Sequence, residues 1–487
     1  MGNILPKNGG VTHAVYSRAN ALTSIAKRVI IVTLQFDPNF VENVKFHKRR
    51  GTLNSNVEVL SLHEAGGPRS SIAQRAPYNP EWTYFRDTNR PNAFRVFDSE
   101  GRYIRYESRR GDETLEFVDH FTTPWRRTSK THYDSQGVPR RDLYMSADGT
   151  RPQFQVIRDG AGMPFTSSKL SDNGTPISFF AHREQIEYKS EIEMAVPWLR
   201  TLMQDFESTT LFIDKREFVR PLSNINDPKI KKVYVMHSNH LDHPFNDVTR
   251  LSPSAKDAFT GFESGEIDRM VFLTSNQAKD AQHLLRTSDR IAVINNFVTE
   301  FEPPNVQREN NLLISIARYH YAKNLTIALE VFKTVLEKVP DARYEIYGYG
   351  PELESLRARA KELGISESVS FQGHTDSPIQ MLARGSASLL TSRYEGMPLT
   401  LLESQAVGTP PVAFDIKYGP SEVIRDGIDG FLIENSDQRI AVAADAVVEL
   451  FKDKALFARM SAASMQVFER FSEARAADEW RSLIGSL

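Results

Sequence analysis

The sequence predicts an α/β protein built from two doubly wound, parallel-sheet domains, with an antiparallel β-rich insertion in the first. Three observations carry this. Short apolar runs alternate with helical segments over residues 1–70 and 186–298, and again over 299–470, the pattern that covers both faces of a parallel sheet with helices. Between them, residues 71–185 show closely spaced Asp/Asn–Gly turns flanked by aromatic and β-branched residues. At 487 residues the chain is also too long for one hydrophobic core.

The first domain starts with the loop Pro6 to Gly10, a helix around Val11 to Ala26, and the apolar strand Val29 to Leu34, which reads as buried on both faces. A Gly-Gly turn entering a helix lets backbone amides approach an anion closely. In the insertion, turns are expected at Asp98–Gly101, Asp134–Gly137, Ala147–Gly149, Asp159–Gly160 and Asp172–Gly174. Asp, Asn and Gly tolerate the positive φ of tight hairpins, so a meander-like sheet follows. Residues 86–151 carry twelve Arg and one Lys against eleven acids. Such arginines suit bidentate clamping of phosphodiesters, or else a solvated face of alternating charge. The α/β pattern resumes with a helix over 190–206 and strands Thr210–Asp214, Lys232–His237, Met270–Thr274 and Ile291–Ile294. Pro303-Pro304 marks a linker. The second domain follows with strand Asn311–Ser315, helix Leu325–Val339, strand Tyr344–Tyr347, helix Pro351–Leu363 and strand Val369–Phe371. A last helix, near Ala474–Ile484, falls in the segment 471–487.

Composition narrows the function. Hydrophobic content of 40% and charged content of 25% suit a globular enzyme. A net charge of −2 excludes the strongly basic footprint of a nucleic-acid binder. Without cysteine there is no disulfide, thiolate nucleophile or Cys-ligated zinc, which agrees with the cytoplasm. No apolar run reaches the length of a membrane span and no signal peptide opens the chain. Pro6 stands where a myristoylation signal wants Ser or Thr. The expected location is the cytoplasm, extending at most to peripheral association with the inner face of the cell membrane.

The most informative stretch runs from Glu395 through Gly396, Met397, Pro398, Leu399, Thr400, Leu401 and Leu402 to Glu403. Pro398 suits a first helical position. Leu399, Leu402 and Ala406 recur at helical spacing, and Gly408 suits the C-terminal cap. Glu395 then lies ahead of the helix and Glu403 on its second turn. The helix N-terminus, with free amides and the positive end of its dipole, faces a site between two acids. Such an end binds phosphate, and acids beside it accept hydrogen bonds from sugar hydroxyls, which suggests a nucleotide-sugar pocket. Two glutamates eight positions apart are commonplace on a solvated face. The surroundings set this pair apart: an apolar strand ending at Ser392, a second at Pro410–Phe414, and the run Tyr418–Gly427 leading to Gly430–Ile433.

With these motifs the C-terminal half resembles the family 4 retaining glycosyltransferases of the GT-B fold. The pattern Lys417-Tyr-Gly-Pro-x-Glu-x-Ile424 resembles a narrower bacterial group. That group contains the wall-teichoic-acid α-glycosyltransferases and the O-GlcNAc transferases of serine-rich adhesins. The resemblance implies a UDP-glucose or UDP-GlcNAc donor, no cofactor and no metal. It places Arg318 and Lys323 against the donor diphosphate, where fixed cations stabilise leaving-group charge. Gly9 and Gly10 face the donor phosphates and the acceptor, and Tyr349 and His374 form the nucleobase wall. The segment Gly396, Met397, Pro398, Leu399 and Thr400 holds the diphosphate, Glu403 the ribose, and Glu395 and His237 the transferred sugar. For the insertion the resemblance implies acceptor binding and homo-oligomer assembly, and for the last helix a return onto the first domain. Only Met1 to Leu5 precede the Gly-Gly loop where the family carries a first strand, so the start is truncated or differently built.

Rival readings are also legible. His237, His240, His243 and Asp242 have spacings that a zinc site can use, whereas the resemblance needs no metal. No Asp-x-Asp occurs anywhere, which disfavours a GT-A transferase. The expected acceptor is a polyol-phosphate (teichoic acid) polymer, with Ser/Thr of a serine-rich surface protein as the alternative. The rival of another class is a non-catalytic acceptor-binding partner subunit. The joint presence of Glu395, Glu403, Arg318 and Lys323 speaks against it. For a phosphorolytic enzyme of similar fold, nothing singles out a cofactor lysine.

Overall fold

The computed structural model describes residues 1–7, 9–65, 75–123, 125–302 and 304–487. Residues 66–74, where the sequence places the start of the insertion, lie outside the described residues, as do Asn8 of the Gly-Gly loop, Pro124 of the insertion and Pro303 of the linker. The chain divides into two compact units, one of Met1–Pro6 with Arg28–Glu207 and one of Lys7–Lys27 with Ser208–Leu487.

The first unit is dominated by a ten-stranded antiparallel sheet in which every strand pairs with its neighbour in the chain, from Thr83–Arg86 at one edge to Ile186–Tyr188 at the other. Its turns explain the meander. The carbonyls of Asp98, Asp134, Ser146, Asp159 and Ser171 each accept the N–H of a glycine three residues on. Those glycines, Gly101, Gly137, Gly149, Gly162 and Gly174, lie at φ between 75° and 82°, the left-handed residue that closes a short hairpin loop. The Asp98, Asp134 and Asp159 carboxylates tie their loops further, each accepting the amides two and four residues on. At 159 the left-handed position is therefore Gly162 and not Gly160, because the Asp carbonyl sets the count.

The arginines of this sheet are largely spent within it. Arg140 is fully buried, with Glu64 at 2.6 Å and Asp134 at 3.5 Å. Arg105 and Arg109 flank the buried Glu107. Arg102 is exposed, paired with Asp98 and Glu100. A phosphodiester clamp built on Arg105 and Arg140 is thus corrected: their guanidinium groups already neutralise covered acids, and undoing such pairs is costly. Elsewhere in the unit, strands Val29–Thr33 and Val57–Ser61 pair in parallel. The Met1 amine donates to Val32 O at 2.7 Å and the Gln35 amide to Gly2 O at 2.8 Å. A few bonded residues thus stand beside the strand.

The second unit holds two parallel sheets. Strands Thr209–Ile213, Ile230–Met236, Arg269–Phe272 and Ile291–Val293 lie side by side in chain order. The other sheet runs Val369–Gly373, Arg343–Tyr347, Leu312–Ile316, Ala387–Leu390, Pro411–Phe414, Phe431–Ile433. Its order reverses between Leu312–Ile316 and Ala387–Leu390. At such a switch point the loops leave neighbouring strands in opposite directions and open a crevice. Helices Leu325–Lys338 and Arg439–Lys452 cover it with Leu329, Phe332, Val447 and Leu450, all fully buried, at the spacing of an apolar helical face. Helix Glu473–Gly485 sets Trp480 edge-on to Phe212 at 5.4 Å, beside the first sheet.

Candidate active site

The switch point carries the cations. Arg318 and Lys323 follow strand Leu312–Ile316, and Glu395 follows its neighbour Ala387–Leu390. Lys323 Nζ donates to Glu395 Oε1 at 2.5 Å, and Ser392 Oγ donates to the same oxygen at 2.7 Å. The loop is shaped locally: the His320 ring accepts the Ala322 amide, and Asn324 takes a left-handed φ of 52° that turns the chain into the next helix. Arg393 fastens the facing loop by donating its amide to Ala322 O at 2.8 Å and laying its guanidinium 4.3 Å over the Tyr321 ring. Arg318 is exposed, without a side-chain partner among the described residues.

Helix Leu399–Ala406 starts one residue later than expected. Pro398 is its N-cap, extended at φ −71° and ψ 117°, and no side chain caps it. Helix Gly10–Leu22 is likewise uncapped, with Gly9 at its N-cap. A β-carbon built on Gly10 would stand 4.0 Å from Leu399 Cδ1, so the two helix N-termini adjoin. Both contribute unpaired amides and positive dipole ends to one place. Glu403, on the second helical turn, is partly covered, and burial pushes its carboxyl up to about 7. It has no hydrogen-bond partner among the described residues, so a ligand hydroxyl donating to it would favour the charged form.

The other parallel sheet presents its strand ends to the same loop. His237 ends strand Ile230–Met236, and its Nε2 lies 2.7 Å from Asp214 Oδ1, which follows strand Thr209–Ile213. Arg18 donates to both Asp214 oxygens, at 2.8 and 2.6 Å. Burial alone would raise the Asp214 pKa, but the Arg18 charge and the His237 hydrogen bond outweigh it and hold the carboxyl well below the usual range. Gly396 crosses the His237 backbone so closely that a β-carbon there would fall 2.4 Å from the His237 carbonyl oxygen. Asn296 Nδ2 donates to Met397 O and Asn239 Nδ2 to Lys417 O, each at 2.9 Å. Lys417 Nζ and Tyr418 OH both donate to Asp280, at 2.5 and 2.8 Å. Gly419, at φ 109°, has no room for a β-carbon, which would meet Pro398 Cδ at 2.5 Å. These contacts explain the glycines of both motifs: each marks a crossing of backbones.

Tyr349 and His374, on loops after adjacent strands, meet edge to face at 5.8 Å. His374 Nε2 lies 3.1 Å from Asp376 Oδ1. The three histidines of 237–243 part company. His237 joins Asp214, His240 stacks against Tyr418 at 5.7 Å and Phe259 at 5.6 Å, and His243 meets Phe245. Burial pushes His240 down to about 4, so it is a neutral core ring. Asp242 pairs with Arg250 at 2.7 Å. No group of three His, Asp or Glu side chains is placed to hold a metal ion among the described residues.

Sequence reasoning missed Arg18, Asp214, Asn296 and Asp280. One signal was available. Asp214 is a charged residue at the C-terminal end of an apolar strand, where open α/β sheets bind ligands.

The fold is that of the GT-B proteins, and residues 297–467 match the family of glycosyl transferases group 1. The chain is similar to the poly(ribitol-phosphate) α-N-acetylglucosaminyltransferase of Staphylococcus aureus, 24% identical over 489 residues, which cover 98% of this chain and 97% of that one. A crystal structure of an S. aureus TarM variant with Fondaparinux, alpha-GlcNAc-glycerol and UDP has a TM-score of 0.83 at 22% identity, covering 99% of this chain and 98% of that chain. The pneumococcal O-GlcNAc transferase GtfA, solved with UDP and GlcNAc, has a TM-score of 0.81 at 16% identity, covering 100% and 97%. The family resemblance and the GT-B fold read from the sequence both hold.

Proposed function

We propose that this protein is a retaining, metal-independent glycosyltransferase that moves glucose or N-acetylglucosamine from a UDP-sugar to a polyol-phosphate polymer in α linkage. One observation carries the reading: Lys323 meets Glu395 at 2.5 Å across the switch point, beside an uncapped helix N-terminus. That geometry suits a diphosphate departing from a sugar. The full-length likeness to a poly(ribitol-phosphate) transferase supports the acceptor.

In this reading Arg318, Lys323 and the amides after Pro398 take up the charge that grows on the diphosphate. Gly9 and Gly10 bring a second set of amides. Glu403 accepts from the ribose, Glu395 and His237 from the transferred sugar, and Tyr349 with His374 flanks the base. The acceptor hydroxyl approaches the anomeric carbon on the face the diphosphate leaves. The new C–O bond forms as the C–O bond to phosphate breaks, the hydroxyl proton passes to the departing phosphate oxygen, and UDP is released. No metal takes part. The insertion serves the acceptor and homo-oligomer assembly. Its edge strands expose Phe85 and Ile186, and uncovered edges invite pairing. No helix among the described residues is long and apolar enough to cross a membrane, and we place the enzyme in the cytoplasm, at most peripherally on the inner face of the membrane.

The likeness to a peptide N-acetylglucosaminyltransferase subunit of Streptococcus gordonii, 26% identical, supports a second reading in which the acceptor is Ser or Thr of a serine-rich protein. Labelled UDP-GlcNAc and UDP-glucose, each offered with poly(ribitol phosphate), poly(glycerol phosphate) and a serine-rich peptide, decide donor and acceptor together. Label should enter a polyol phosphate. Label in the peptide alone would establish the second reading, and no turnover of either donor would leave a binding subunit.

A further inference from the structure

A line of four side chains leads from the cleft to the C-terminal helix. Trp480, on helix Glu473–Gly485, lies 5.5 Å from the Arg18 guanidinium, and Phe212 lies 4.7 Å from it. So held, Arg18 forms its two-pronged pair with Asp214, and Asp214 bonds His237 Nε2. The three polar side chains are only 7 to 11% exposed. A guanidinium forked onto a carboxylate is fixed in plane as well as in distance, and two aromatic faces offset part of its lost hydration.

We propose that Trp480, Arg18 and Asp214 are a positioning relay that dictates which nitrogen of His237 carries the proton and how its ring stands toward the transferred sugar. The proposal rests on the donor-site reading above. Asp214 stays ionised, and an ionised carboxylate only accepts hydrogen bonds. Nε2 must therefore carry the hydrogen. Nδ1 has no protein partner among the described residues, and His237 lines a small cavity together with Leu399 and Asn296. In its neutral form the ring thus presents Nδ1 as an acceptor for a sugar hydroxyl. Without Asp214 the other tautomer becomes accessible, and it would present an N–H in place of that acceptor. A buried ion pair alone is weak evidence of purpose. Here its third bond ends on a ring of the site, which gives it one.

The test is a mutant cycle with a spectroscopic arm. Asp214→Asn, and the charge-balanced double variant Arg18→Gln with Asp214→Asn, are made in the wild-type and His237→Ala backgrounds. Transfer kinetics are measured for each, with 15N NMR of the His237 ring in the ligand-free protein. The wild type should show the Nε2–H tautomer, and Asp214→Asn should shift it toward Nδ1–H. kcat should fall by about a hundredfold, the scale of a misplaced catalytic group. In the His237→Ala background the same substitutions should cost less than about twofold more, because they act through the ring. Trp480→Leu should reproduce part of the loss, about tenfold. An Nδ1–H ring in the wild type, or an equal loss without His237, would overturn the relay. Failure of both variants to fold would make the line a folding element only, which also overturns it. If the wild type transfers no sugar at all, the donor reading fails, while the NMR arm still decides the relay.

Discussion

Replacing Glu403 by Gln is expected to stabilise the ligand-free protein while weakening its hold on the nucleoside. Burial lifts the Glu403 carboxyl from 4.5 to about 7. Between those values the folded protein binds more protons than the unfolded chain, so stability falls as pH rises through the window. At about 1.4 kcal/mol per pH unit, the ionised carboxyl costs about 3 kcal/mol above pH 7 and almost nothing below pH 4.5. Glutamine has the same shape and carries no such cost. Calorimetric melting should therefore place the variant above the wild type at pH 8, with the gap largely closing at pH 5. Uridine is the matching ligand, because it keeps the ribose and lacks phosphates that titrate in the same range. Its affinity for the wild type should fall by up to tenfold per unit below about pH 7 as the acceptor is lost. The variant should bind more weakly at pH 8 and show no such slope. A variant less stable than the wild type at pH 8, or a wild-type uridine affinity flat from pH 5 to 8, would refute the assignment.

Other consequences are direct. Arg318→Ala and Lys323→Ala should each lower turnover by about a hundredfold or more. Only Lys323→Ala should also lower the melting temperature, since it leaves Glu395 without its cation, whereas Arg318 is exposed. Activity should persist in excess EDTA, and loss that manganese or zinc restores would refute the metal-free mechanism. Arg140→Ala should cost about 3–5 kcal/mol by removing the buried cation that Glu64 and Asp134 face, while Arg102→Glu should change stability by no more than about 1 kcal/mol. Separate melting of the two variants checks that contrast.

Local rules explain what the sequence made legible. Pro398, the Leu399–Leu402–Ala406 spacing and Gly408 mark a helix by backbone chemistry alone, and the structure moves only its first residue. The hairpins of the insertion were readable because Asp and Gly impose their turns within four residues, although the partner of Asp159 is Gly162. Contacts between distant positions were not readable. Lys323 and Glu395 are 72 positions apart, and Arg18 and Asp214 are 196 apart. Only the strand order brings them together. The need for glycine at 396 is set by the His237 carbonyl, which no spacing in Glu395–Glu403 encodes. The arginines of the insertion show the same limit. Their alternation with acids says that pairs can form, but it does not say that Glu64 covers Arg140.

The central claim is that the cleft transfers sugar from UDP to a polyol-phosphate hydroxyl on the face the diphosphate leaves. The most direct measurement is the anomeric configuration of the product, by proton NMR of poly(ribitol phosphate) glycosylated from UDP-GlcNAc or UDP-glucose. The account predicts an α-linked sugar on the polymer, with UDP released in equal amount. A β-linked product would contradict it, and so would UDP release with sugar found only on a serine-rich peptide.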